Sequence, residues 1–105
     1  MNDRECTEQH RFDEKFATLP IDQGGAGRHR CAGCAYDLGF WHGYQRLENL
    51  RLDFDSLPYS QAGTVRHRSP HAAYALGYYE GVVMYYGELA ARASTTQAIS
   101  TATET

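Results

Sequence analysis

The sequence predicts an all-α fold: two long helices, the copies of an internal 38-residue tandem repeat, packed on each other. Three observations carry this. Shifting the chain by 38 positions aligns Arg28–Gly43 (RHRCAGCAYDLGFWHG) with Arg66–Gly81 (RHRSPHAAYALGYYEG) without a gap. Each copy holds a stripe of small residues at i, i+4 spacing, and no proline interrupts residues 31–53 or 71–93. Eight of the sixteen aligned positions are identical: Arg28/Arg66, His29/His67, Arg30/Arg68, Ala35/Ala73, Tyr36/Tyr74, Leu38/Leu76, Gly39/Gly77 and Gly43/Gly81. Chance would supply about one identity, so the segments read as a duplication.

In chain order, residues 1–27 form an acidic, partly flexible N-terminal segment with six acids against three bases, closing on Gln23-Gly24-Gly25-Ala26-Gly27. Phe12, Phe16 and Leu19 suit a short amphipathic helix ahead of Pro20, docked on the helical pair. Residues 28–93 form the helical repeat domain. By the repeat, its first helix starts near Cys31–Ala32 and runs through Leu47 and Leu50 to about Asp53. Asp55 to Val65, with Ser56, Pro58, Ser60 and Gly63, reads as a loop; Leu52, Phe54, Leu57 and Tyr59 tuck it onto the core. Ser69-Pro70 then opens the second helix, a hydroxyl cap followed by proline at the first helical position. Tyr74, Tyr78, Val82, Tyr85 and Leu89 carry it at helical spacing to about Ala93. Residues 94–105 hold Ile99 as their one bulky side chain and read as a disordered tail.

The stripes are Cys31, Ala35, Gly39, Gly43 and Ser69, Ala73, Gly77, Gly81. Residues four apart share a helix face. Each helical glycine costs about 1 kcal/mol relative to alanine, so four cost a large share of a small domain's stability of about 5–15 kcal/mol. A close helix–helix crossing through Ala35, Gly39, Gly43, Ala73, Gly77 and Gly81 offsets that cost; the alternative is an opening for a ligand or nucleic-acid backbone. His42 aligns with Glu80 and is expected to pair with it across the crossing.

Composition bounds the function. A chain of 105 residues, 42% apolar and 22% charged, suits one domain with a modest core. A net charge of −3 with the single Lys15 argues against a non-specific polyanion binder. Neither an 18-residue apolar run nor a basic-then-apolar start is present, and three cysteines make no disulfide framework, so a cytoplasmic protein is expected. No phosphate loop, nucleophile elbow or paired-acid motif stands out, and a non-enzyme is expected.

Three sets of residues carry candidate chemistry. The two Arg-His-Arg triplets (Arg28, His29, Arg30 and Arg66, His67, Arg68) make an anion or RNA site if the helices start together. Trp41, Tyr79, Tyr85 and Tyr86 are natural anchors for a protein partner, with a homodimer expected. Cys31-Ala-Gly-Cys34 has three readings. With His67 and His71 it supplies the ligands of a structural zinc site; at a helix N-terminus it resembles a redox dithiol; and its alignment with Ser69 and Ala72 favours two small helix-start residues needing no cofactor.

Gly39, Phe40 and Gly43, then Pro58 and Tyr59, then Leu76, Gly77 and Tyr78 form a pattern that resembles the ribosome modulation factor family. The resemblance implies two helices joined by an extended linker and binding to ribosomal RNA in ribosome hibernation. The linker here is longer than that family's and the strongly basic character is missing. The protein-binding regulator therefore stands first, the ribosome-associated factor second and a zinc-stabilised module third.

Overall fold

The computed structural model describes residues 4–8, 10, 13–21, 29–48, 52–60 and 67–104. There are two α-helices, α1 (Ala32–Tyr44) and α2 (Pro70–Glu104), with one 3-10 turn ahead of α1 at Glu14–Phe16 and another between the helices at Phe54–Ser56. Among the described residues there is no strand, and no helix is long and apolar enough to cross a membrane.

Both helices begin where a side chain can cap them. Cys31 holds extended backbone and its thiol accepts from the Cys34 N–H, while Ser69 Oγ accepts from the Ala72 N–H at 3.1 Å ahead of Pro70. Their ends differ from expectation. α1 stops at Tyr44, well short of Asp53, because Arg46 turns into the left-handed region (φ 54°). The Arg46 N–H then bonds the Gly43 carbonyl and the Leu47 N–H the His42 carbonyl, closing the helix as a Schellman turn. α2 continues through the stretch read as a tail, to Glu104; no proline or glycine follows Gly87 to stop it.

The helices run parallel and cross where side chains are missing. A β-carbon on Gly39 or Gly43 would fall within 3.0 Å of the Tyr74 or Tyr78 carbonyl oxygen, and one on Gly77 or Gly81 equally close to that of Tyr36 or Phe40. These four contacts form two pairs related by an offset of 38 residues, as a two-fold axis along the crossing requires. The polar contacts obey the same offset: the Tyr36 hydroxyl donates to Glu80, and Tyr74 shares a hydrogen bond with His42 Nδ1. The expected His42–Glu80 pair does not form. Each instead reaches the tyrosine that lies six residues before its own aligned position on the other helix.

The correspondence extends upstream of the aligned segments. The Cys31 N–H bonds the Pro58 carbonyl and the Ser69 N–H the Pro20 carbonyl, at 2.8 and 2.7 Å. Arg30 donates to the Leu57 carbonyl at 2.8 Å and Arg68 to the Leu19 carbonyl at 3.0 Å. Leu19-Pro20 and Leu57-Pro58 are thus equivalent, and each caps the start of the helix belonging to the other half.

The described part of the N-terminal segment packs against the helix pair. In place of an amphipathic N-terminal helix there is one 3-10 turn, capped by Asp13; Phe12 lies outside the described residues. Phe16 is 1% exposed and, with Cys6 and Leu19, shares one core with Ala32, Ala35, Tyr36, Leu57, Ala73 and Tyr74. Residues 4–6 add to the linker as an extended segment, the Cys6 N–H bonding the Tyr59 carbonyl and the Tyr59 N–H that of Arg4, both at 2.7 Å.

Candidate metal centre

Docking the N-terminal segment on the linker brings Cys6 and His10 to the start of α1. There they meet Cys31 and Cys34, and the four ligand atoms lie within 4.8 Å of one another. The Cys6 sulfur is 3.5 Å from both the Cys34 sulfur and His10 Nδ1. His10 Nδ1 is 3.5 Å from the Cys31 sulfur and 3.7 Å from that of Cys34. Zinc–sulfur and zinc–nitrogen bonds of about 2.3 and 2.0–2.1 Å at tetrahedral angles imply edges of about 3.8 Å for S···S and 3.6 Å for S···N. The four donors already stand close to the corners of that tetrahedron.

Neighbouring groups orient the donors. His10 Nε2 lies 2.9 Å from Asp37 Oδ2, which favours a proton on Nε2, and Nδ1, the atom a metal would take, faces the sulfurs. The backbone N–H groups of Glu8 and Cys34 donate to the Cys6 and Cys31 sulfurs at 3.3 and 3.4 Å. As α1's N-cap residue, Cys31 also places its sulfur at the positive end of the helix dipole. Hydrogen bonds from Cys34 first, and then from His10, hold the Cys31 thiol down at about 4. The same Cys31 contact, together with burial, pushes Cys34 up; burial pushes Cys6 up; and the Cys31 contact raises His10. Three thiols and an imidazole thus compete for protons that a divalent cation would displace.

Gly33, between Cys31 and Cys34, completes the fit: a β-carbon there would clash with the His10 side chain. Cys6 and Cys31 are buried, and four protein donors complete a tetrahedron with no position left over, which is how structural zinc sites differ from catalytic ones. Soft thiolates with imidazole favour zinc over magnesium or calcium.

This ligand set corrects the one expected from the sequence. Cys31 and Cys34 are in it, but His67 and His71 are not. The His67 ring lies against that of His29, centroids 5.0 Å apart, and His71 is exposed on α2. The signal for Cys6 and His10 was their own Cys-x3-His spacing. That spacing lies in an acidic segment whose composition looks flexible.

The other predicted residues are placed as follows. Of the Arg-His-Arg triplets, His29, Arg30, His67 and Arg68 come to the same end of the helix pair, but Arg30 is 4% exposed, bonded to the Leu57 carbonyl, 3.5 Å from Asp55 and over the Tyr59 ring. Arg68 is bonded to the Leu19 carbonyl, and Arg28 and Arg66 lie outside the described residues. Trp41, Tyr79 and Tyr86 are exposed. Tyr85 packs between Tyr44, Tyr86 and the Arg46 guanidinium. No family model, curated protein or solved structure matches this chain.

Proposed function

We propose that this chain is a zinc-stabilised, non-catalytic binding module. Cys6, His10, Cys31 and Cys34 hold one structural zinc ion that clips the N-terminal segment to the helix pair, whose exposed aromatic face takes a protein partner. The observation that carries the reading is the closed Cys3His set at tetrahedral spacing, with Asp37 behind its histidine. A core this small gains from a metal staple, because the free energy of binding zinc is added to that of folding. The aromatic face is supported by Trp41, 58% exposed and stacked on Tyr44, and by Tyr79 and Tyr86, 66% and 55% exposed. The two halves are read as copies of one ancestral unit, the metal ligands having been kept or acquired in the first alone.

Elemental analysis of the purified chain tests the zinc reading. One zinc per chain is expected, lost in Cys6→Ser and His10→Ala and kept in His71→Ala. Cobalt substitution should give the intense visible bands of a tetrahedral thiolate site. A chain that binds neither metal overturns the reading.

A second reading, a ribosome-associated factor of the resembled family, is favoured by one observation: His29 and His67 meet at the shared end of the two helices. RNA retention that falls steeply with salt, and is lost in Arg28→Ala/Arg66→Ala, would support it.

A further inference from the structure

We infer that the Cys6–Cys34 pair makes this cluster an oxidation-sensitive staple, in which hydrogen peroxide converts the two sulfurs to a disulfide and the zinc is expelled. The inference rests on the zinc reading above and names what regulates that site. The three sulfurs are not equally placed. Cys31 is 1% exposed and caps α1 from within the core. Cys34 is only half-buried. A cleft of about 280 Å3, lined by residues 4–8, Cys34 and Pro58, is walled by Cys6 and Cys34 but not by Cys31. The sulfurs of Cys6 and Cys34 stand 3.5 Å apart.

In the zinc-loaded cluster all three sulfurs are thiolates, so access decides which of them reacts. The Cys34 thiolate attacks one oxygen of hydrogen peroxide entering by the cleft. The O–O bond breaks, hydroxide leaves, and Cys34 becomes a sulfenic acid. The Cys6 thiolate then attacks the Cys34 sulfur, the S–S bond forms, and the sulfenic oxygen leaves as a second hydroxide. Two thiolates have lost two electrons, the peroxide has gained them, and zinc keeps its charge throughout. Left with Cys31 and His10 alone, the ion has half of its ligands and departs. The clip itself survives. The disulfide ties the N-terminal segment to α1 where zinc had tied it, over the core that Phe16 and Leu19 share with the helices. A Cys31–Cys34 bond would instead cut that segment loose.

To test this, zinc is counted in the reduced full chain, hydrogen peroxide is added in about tenfold excess, and released metal is read with a chromogenic zinc indicator. One zinc per chain should be released. Peptide mass spectrometry should find Cys6 joined to Cys34, with Cys31 as the one cysteine still open to alkylation. Dithiothreitol with added zinc should restore the starting state. The oxidised chain should melt about 5 °C or more above the reduced chain stripped of metal. Zinc retained under peroxide, a bond that includes Cys31, or an oxidised chain no more stable than the stripped one overturns the inference. A chain that is zinc-free before peroxide is added overturns the metal reading and the inference with it. A zinc-loaded chain that resists peroxide overturns the inference alone and leaves the metal reading standing.

Discussion

The imidazole of His10 occupies the space that a β-carbon on residue 33 would need. Gly33 is therefore fixed by a histidine 23 positions upstream and not by the helix it belongs to. Gly33→Ala should favour α1 slightly through propensity, yet displace His10 from the cluster. Zinc affinity measured by chelator competition should fall about tenfold or more, with the helix pair intact by circular dichroism. Unchanged affinity would mean that His10 is not a ligand.

Asp37 is exposed, and its role is to orient. By accepting from Nε2 it fixes the tautomer in which Nδ1 is free to bind metal. Loss of such a partner typically costs about 10- to 100-fold in metal affinity, and that is the range expected for Asp37→Ala. Asp37→Asn still offers an acceptor oxygen and should recover much of the loss. Equal losses in the two variants would point to charge, not orientation, as the contribution of Asp37.

The helix crossing could be read in the sequence because glycine at i, i+4 in two aligned helices has few uses besides close approach. The candidate metal centre could be read only by half. Cys31 and Cys34 advertise themselves by their spacing, but Cys6 and His10 join them through an extended segment paired with Tyr59, a long-range contact that no local pattern announces. His67 and His71 complete a Cys2His2 ligand set on paper, with a spacing of their own, but the fold keeps them away from Cys31 and Cys34. The upstream match at the 38-residue offset was hidden for a similar reason: Leu19-Pro20 and Leu57-Pro58 make equivalent contacts, but outside the helices, where few positions are constrained. The early end of α1 was illegible because Leu47 and Leu50 keep helical periodicity while Arg46 takes a conformation that composition does not forecast.

Arg30 and Arg68 look like phosphate ligands in the sequence, and in the fold they fasten the connecting segments to the helix starts. Arg30→Ala would leave the buried Leu57 carbonyl without its donor, at a cost of about 1–3 kcal/mol. Urea denaturation should show that loss, with a smaller one for the less buried Arg68→Ala. It follows that any loss of RNA retention in these two variants reports folding, and that Arg28 and Arg66 are the informative positions. An Arg30→Ala chain as stable as the wild type would refute the staple.

The crossing itself makes the last prediction, and its force lies in non-additivity. A β-carbon on Gly77 would strike the Tyr36 carbonyl oxygen and the Phe40 nitrogen, which are backbone atoms of a helix and cannot swing aside. Gly77→Ala should therefore force the helices apart at a cost of about 1–3 kcal/mol, outweighing the roughly 1 kcal/mol gained in propensity. Gly39→Ala, which strikes the Tyr74 carbonyl at the equivalent place, should cost a similar amount. Once one substitution has separated the helices, the second meets a gap already opened. The double variant should then be clearly less destabilised than the sum of the two, an interaction of about 0.5–3 kcal/mol in a thermodynamic cycle. Strict additivity, or a stabilised single variant, would show that the two glycines do not share one seam.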